Sequence, residues 1–169
     1  MTTSSIPSTA TNSSRPRHLW AGVLPWIGVI LFVVHAAGVV SSQPEGWHQD
    51  VVQLGVAYMI GVAGLAAGIS HLVFSNATAR SIGWQTSPFQ WEVGCANAAF
   101  GVAGLMASGY DSQFWLAVIV MSGLFRIGCG VGHIRQIITE RNFAINNTAI
   151  LGLNFGVPIF LFLLWQAWG

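Results

Sequence analysis

The chain has 169 residues, of which 53% are hydrophobic and 7% charged. Soluble domains carry about a quarter charged residues, so this set cannot clothe a water-facing surface of ordinary size, and lipid is the solvent for most of the chain. A formal net charge of +1 and the lack of any basic face exclude the electrostatics of nucleic-acid binding.

Residues 1–17 are rich in Ser, Thr and Pro and show no apolar period; they are expected to form a disordered cytoplasmic tail. Residues 18–169 read as one all-α integral membrane helix bundle, with apolar stretches at Leu19–Val40, Val51–Phe74, Phe89–Ser108, Phe114–Ile134 and Ala149–Trp168. Each comes near or beyond the ~20 residues that cross a ~30 Å hydrocarbon core, and none shows strand alternation. Five transmembrane helices are therefore predicted. Arg15 and Arg17 before the first stretch give it the look of a signal peptide. Its apolar run exceeds the ~7–15 residues of such segments and no clear cleavage site follows, which favours an uncleaved helix.

Arg15 and Arg17 precede the first span, Arg80 lies between the second and third, and Arg135 and Arg141 lie between the fourth and fifth. The opposite loops, Ser41–Asp50 and Gly109–Gln113, hold Glu45, Asp50 and Asp111 and neither Lys nor Arg. The positive-inside rule then puts the N-terminus in the cytoplasm and the C-terminus outside. The expected location is a bacterial cytoplasmic (inner) membrane, crossed several times.

Glycines mark close helix approach, within the chain or in self-association: Gly61, Gly64 and Gly68 on the second span, Gly101 and Gly104 on the third, Gly128 and Gly132 on the fourth. Pro25 and Pro158 are expected to kink the first and last spans.

Polar residues within spans are costly and therefore informative. Antiparallel threading brings His71, Glu92, Arg126, Cys129, His133 and Asn154 to neighbouring depths in the cytoplasmic leaflet. Arg126, Cys129 and His133 fall at i, i+3 and i+7 and share one helix face. Arg126 is the one charge well inside a span, and an unpaired Arg there costs a few kcal/mol; a salt bridge to Glu92 is the least costly arrangement. That pair is either a structural clasp or part of a site for a polar head group. His71 and His133 each follow a glycine by three residues. They suit interhelical hydrogen bonds, two axial ligands to a b-type heme, or contact with a quinone carbonyl. Cys95 and Cys129 sit in no CxxC or Cys/His metal pattern, and no other metal site is signalled. They are read as buried thiols or a thiol pair. At the start of the third span, Ser87 can cap, Pro88 suits the first turn, and Glu92 lies by the positive end of the helix dipole.

The segments IGWQTSPFQWEVGCANAAFG (82–101) and GHIRQIITERNFAIN (132–146) resemble a family of small bacterial membrane proteins of unassigned function, similar to the DoxX-like group of four-helix membrane proteins. The likeness is carried by Ser87-Pro88-Phe89-Gln90, Glu92, Asn97, His133, Gln136 and Asn142-Phe143-Ala144. It implies a membrane bundle and, through DoxX-like relatives, a connection to quinone-linked oxidation. This chain departs from the pattern at Ile145, where the family has Pro, and at Asn154, where it has an acid; the second change puts a proton-relay role there in doubt.

No hydrolase triad, phosphate-binding loop or metalloprotease motif is present, so enzyme activity is not expected. The leading reading is an accessory or scaffold membrane component with partners in the bilayer: lipid, other membrane subunits or a second copy. The alternatives are a quinone- or heme-binding redox subunit and a small transporter or channel subunit.

Overall fold

The computed structural model describes residues 24–169. The expected tail, and residues 19–23 of the first predicted span, lie outside the described residues. Five long helices and one short one follow in chain order: α1 (Ile27–Ser42, begun by a 3-10 turn at Leu24–Trp26), α2 (Trp47–Val73), α3 (Ser75–Ser81), α4 (Phe89–Leu105), α5 (Ser112–Glu140) and α6 (Ile145–Trp168). Four of them, Leu24–Ser42 (the 3-10 turn and α1), α2, α5 and α6, are long and apolar enough to cross a membrane. This is the pattern of a multi-pass membrane protein. α4 has 17 residues, with Glu92 in its first turn.

The turns explain the element ends. Gln43 takes the left-handed conformation (φ 44°) that stops α1, and its N–H returns to the Val39 carbonyl at 2.9 Å. Gly46 (φ 75°) then reverses the chain into α2. Asp111 caps α5, its carboxylate accepting from the Phe114 N–H at 3.2 Å. Pro25 lies in the 3-10 turn before α1 and not inside the helix, so it starts α1 instead of kinking it. Pro158 is buried inside α6.

Small residues pair the helices. A Cβ on Gly64 would stand 2.9 Å from the Gly101 Cα, and one on Gly61 would stand 2.9 Å from the Leu105 N. The predicted glycine faces of α2 and α4 therefore meet each other within the chain. On α5 the close approach falls on Gly123, opposite Pro158, and on Gly130, opposite Phe155 and Asn154. Gly128 and Gly132, the predicted pair, touch no neighbouring helix so closely: a Cβ on Gly128 would meet nothing within 4 Å, and one on Gly132 only Trp84 at 3.8 Å.

One end of the bundle carries Glu45, Asp50 and Asp111 and is tightly filled. Val52, Val56, Ile60, Ile119 and Leu161 are buried there. Trp115 Nε1 donates to the Ala107 carbonyl (2.8 Å) and Trp165 Nε1 to the Ser112 carbonyl (2.9 Å). Elsewhere apolar side chains face outward: Val34 is 69% exposed and Ile138 72%. An apolar exterior of this kind is suited to lipid. α2 contains a π-helical turn, Val56–Val62. Such turns are rare and disturb the regular main-chain ladder, and here the Met59 carbonyl takes a donor from α5.

Candidate functional site

Towards the other end, which carries Arg80, the α2–α4 pair and the α5–α6 pair stay apart and leave a cavity of about 540 Å³. Its walls are mainly apolar, with Trp26, Phe125 and Leu153 among them, and His71, Gln90, Arg126, Cys129, His133 and Asn154 are among the polar residues that line it. That volume and mixture are typical of sites for small organic ligands, which run from about 300 to 1,000 Å³.

Helical periodicity decides which side chains reach the cavity. Arg126, Cys129 and His133 do so together, as their spacing predicts. On α4 the cavity face is Gln90, Val93 and Asn97, again at i, i+3 and i+7. Glu92, Cys95, Ala99 and Val102 form the exposed outer stripe of the same helix. The predicted salt bridge between Glu92 and Arg126 is not formed among the described residues. Two residues from Gln90 is a rotation of about 200°, which turns Glu92 away from α5. Cys95 goes outward with it, while Cys129 stays at the cavity, and both are free thiols. The Ser87 side chain makes no cap bond at α4. His35 bonds Tyr58 at 3.0 Å and His48 stacks on Trp47 at 3.8 Å, so neither joins the cluster.

α5 continues to Glu140, which sets Arg126 at its midpoint and His133 seven residues inside its end. A guanidinium about 21 Å from either end of its helix, at ~1.5 Å per residue, would be costly to place in lipid without partners. Its Nη2 donates to the Met59 carbonyl at 2.9 Å.

His133 is held by a side-chain network centred on Asn147. Asn147 Oδ1 stands 2.8 Å from His133 Nδ1 and accepts from Trp84 Nε1 at 2.8 Å. Asn147 Nδ2 donates to the carbonyls of Asn142 (3.1 Å) and His133 (3.5 Å). The asparagine thus presents its oxygen to the imidazole, and the ring proton sits on Nδ1. The neutral ring then keeps an accepting lone pair on Nε2. The Asn142-Phe143-Ala144 segment supports this corner: Asn142 Nδ2 donates to the Ile82 carbonyl at 2.8 Å, and its Oδ1 accepts from the Ala144 N–H at 3.1 Å.

Among the described residues three buried polar atoms have no hydrogen-bond partner: His71 Nδ1, Gln90 Oε1 and Asn154 Nδ2. All three residues line this cavity. Stranding a buried polar group costs about 1–3 kcal/mol. Among the described residues no group of three or more His, Cys, Asp or Glu converges to hold a metal ion.

Residues 22–168 match a family of unknown function, DUF6790, and the chain belongs to that family. No curated protein and no solved structure matches the chain.

Proposed function

We propose that this member of the DUF6790 family is an accessory protein of the bacterial inner membrane that holds an amphiphilic ligand in the cavity between its helix pairs. It crosses five times, with the N-terminus in the cytoplasm. The observation that carries the reading is the meeting of three partnerless buried polar atoms and Arg126 in one cavity. A ligand with its own donors and acceptors would satisfy them. Leu124, 69% exposed, and Gly128, also exposed, border the same cavity, which gives a lipid-borne molecule a lateral route. A pure clasp loses its support once Glu92 and Arg126 stand apart.

Organic extraction of the detergent-purified protein, followed by mass spectrometry, tests this. One class of amphiphile is expected at close to one molecule per chain. Gly132→Leu adds a side chain that meets Trp84 and otherwise open space. It should lower the retained ligand about tenfold, a loss of ~1.4 kcal/mol, without lowering Tm. Equal recovery from Gly132→Leu removes the cavity reading.

A quinone- or heme-binding redox subunit is the second reading. It is supported by the Asn147 bond that orients His133 through Nδ1, the kind of outer partner that fixes ligating imidazoles, and by the likeness to DoxX-like proteins. A Soret band lost in His71→Ala or His133→Ala would establish heme, and a quinone in the extract would establish the other form.

A further inference from the structure

We infer that the ligand held in the cavity presents an oxyanion, a carboxylate or phosphate, to Arg126 and Asn154. The inference rests on the cavity reading above and adds the charge of the head group.

The chain has five carboxylate side chains, all in the described residues. Glu45, Asp50 and Asp111 belong to the opposite end of the bundle, and Glu140 is the last residue of α5, fourteen positions from Arg126. Glu92 is on the outer stripe of α4. No acid of this chain is therefore available to Arg126. A guanidinium stays protonated in proteins and carries five N–H donors. The bond to the Met59 carbonyl uses a donor and neutralises no charge.

The second group is Asn154. Gly130 lies one turn from Arg126 on the same face of α5, and a Cβ there would stand 3.2 Å from the Asn154 Cβ. Glycine at this position thus lets α6 set Asn154 beside the arginine face. Its Nδ2 is buried without an acceptor. The cavity wall formed by Arg126 and Asn154 is therefore rich in donors, positively charged and without an acid. A neutral carbonyl oxygen would occupy the donors and leave the charge. A carboxylate or phosphate answers both, and its bonds to a guanidinium are the stronger kind. The walls at Phe125 and Leu153 keep the pair from the screening it would meet in water.

Two sources carry this chemistry, an alkyl acid from the bilayer or a free anion, and one titration separates them. The full-length protein in nanodiscs of neutral lipid is titrated with laurate, dodecyl phosphate, dodecanol, acetate and inorganic phosphate, read by tryptophan fluorescence. Laurate and dodecyl phosphate should bind at least about tenfold tighter than dodecanol, as a charged hydrogen bond warrants. Arg126→Gln should remove that preference and Arg126→Lys should keep part of it. Saturation by acetate or phosphate alone would support the oxyanion and replace the amphiphile with a soluble anion. Dodecanol binding as tightly as laurate to the wild-type protein overturns the inference and leaves the cavity reading intact, even if the Arg126 variants fail to fold. Failure of every probe, with no amphiphile extracted, overturns both.

Discussion

Asn147 is fully buried, and its side chain makes four hydrogen bonds that tie the 82–84 loop, α5 and the start of α6 together. Asn147→Leu removes an oxygen that serves two donors and strands Trp84 Nε1 and His133 Nδ1. At roughly 1–3 kcal/mol for each stranded group, the variant should lose about 2–6 kcal/mol, seen as a lowered Tm in detergent. An unchanged Tm would mean that water or a rotated ring replaces both bonds. The Arg126–Cys129–His133 face was legible in the sequence because one helix sets it by rotation alone. Asn147 was not, since an Asn three residues into a helix resembles ordinary cap chemistry and its partners lie 14 and 63 positions away. Glu92 was misplaced for a simpler reason. Depth along a helix leaves rotation about its axis free, and Gln90, Val93 and Asn97 take the cavity side of α4.

The contact between α2 and α4 depends on backbones that nearly touch. Gly64 and Gly101 face one another so closely that any Cβ must displace main chain. Gly64→Leu should separate the helices and cost at least about 1–3 kcal/mol, the usual range for overfilled cores. Gly38→Leu on α1, where nothing lies within 4 Å, should leave Tm within error. Equal Tm values for the two would refute the close contact. These glycine faces were legible because small residues at helical spacing have few other uses inside a span. On α5 two glycine sets compete, 123 with 130 and 128 with 132, and spacing cannot say which meets a neighbour. The set left unpaired borders the cavity. The π-helical turn at Val56–Val62 left no mark in the sequence; its seven residues, VAYMIGV, are compatible with an ordinary α-helix. Its consequence is local, a main-chain acceptor for Arg126.

The threading of the whole chain decides which compartment the cavity faces, and α4 is the element on which that turns. Its 17 residues cover about 25 Å at ~1.5 Å per residue. The 3-10 turn Met106–Gly109 adds four more, each rising about 2 Å. Together they reach the ~30 Å of a hydrocarbon core, which is the length that the proposed fifth crossing needs. With five crossings, Arg80, Arg135 and Arg141 gather on one side and Glu45, Asp50 and Asp111 on the other, as the positive-inside rule requires. Four crossings with α4 outside the bilayer would place Ser108 on the same side as Asn76. The two cases separate by labelling intact cells with a membrane-impermeant maleimide, using single cysteines in a background where Cys95 and Cys129 are Ser. Gln49→Cys and Ser108→Cys, both at exposed positions, should label before lysis. Asn76→Cys and Phe143→Cys, equally exposed, should label only after it. Labelling of both Asn76→Cys and Phe143→Cys in intact cells, with Gln49→Cys protected, would invert the orientation and turn the cavity towards the outside. Protection of Ser108→Cys together with Asn76→Cys would remove the fifth crossing, and with it the balance of charge that favours an N-terminus in the cytoplasm.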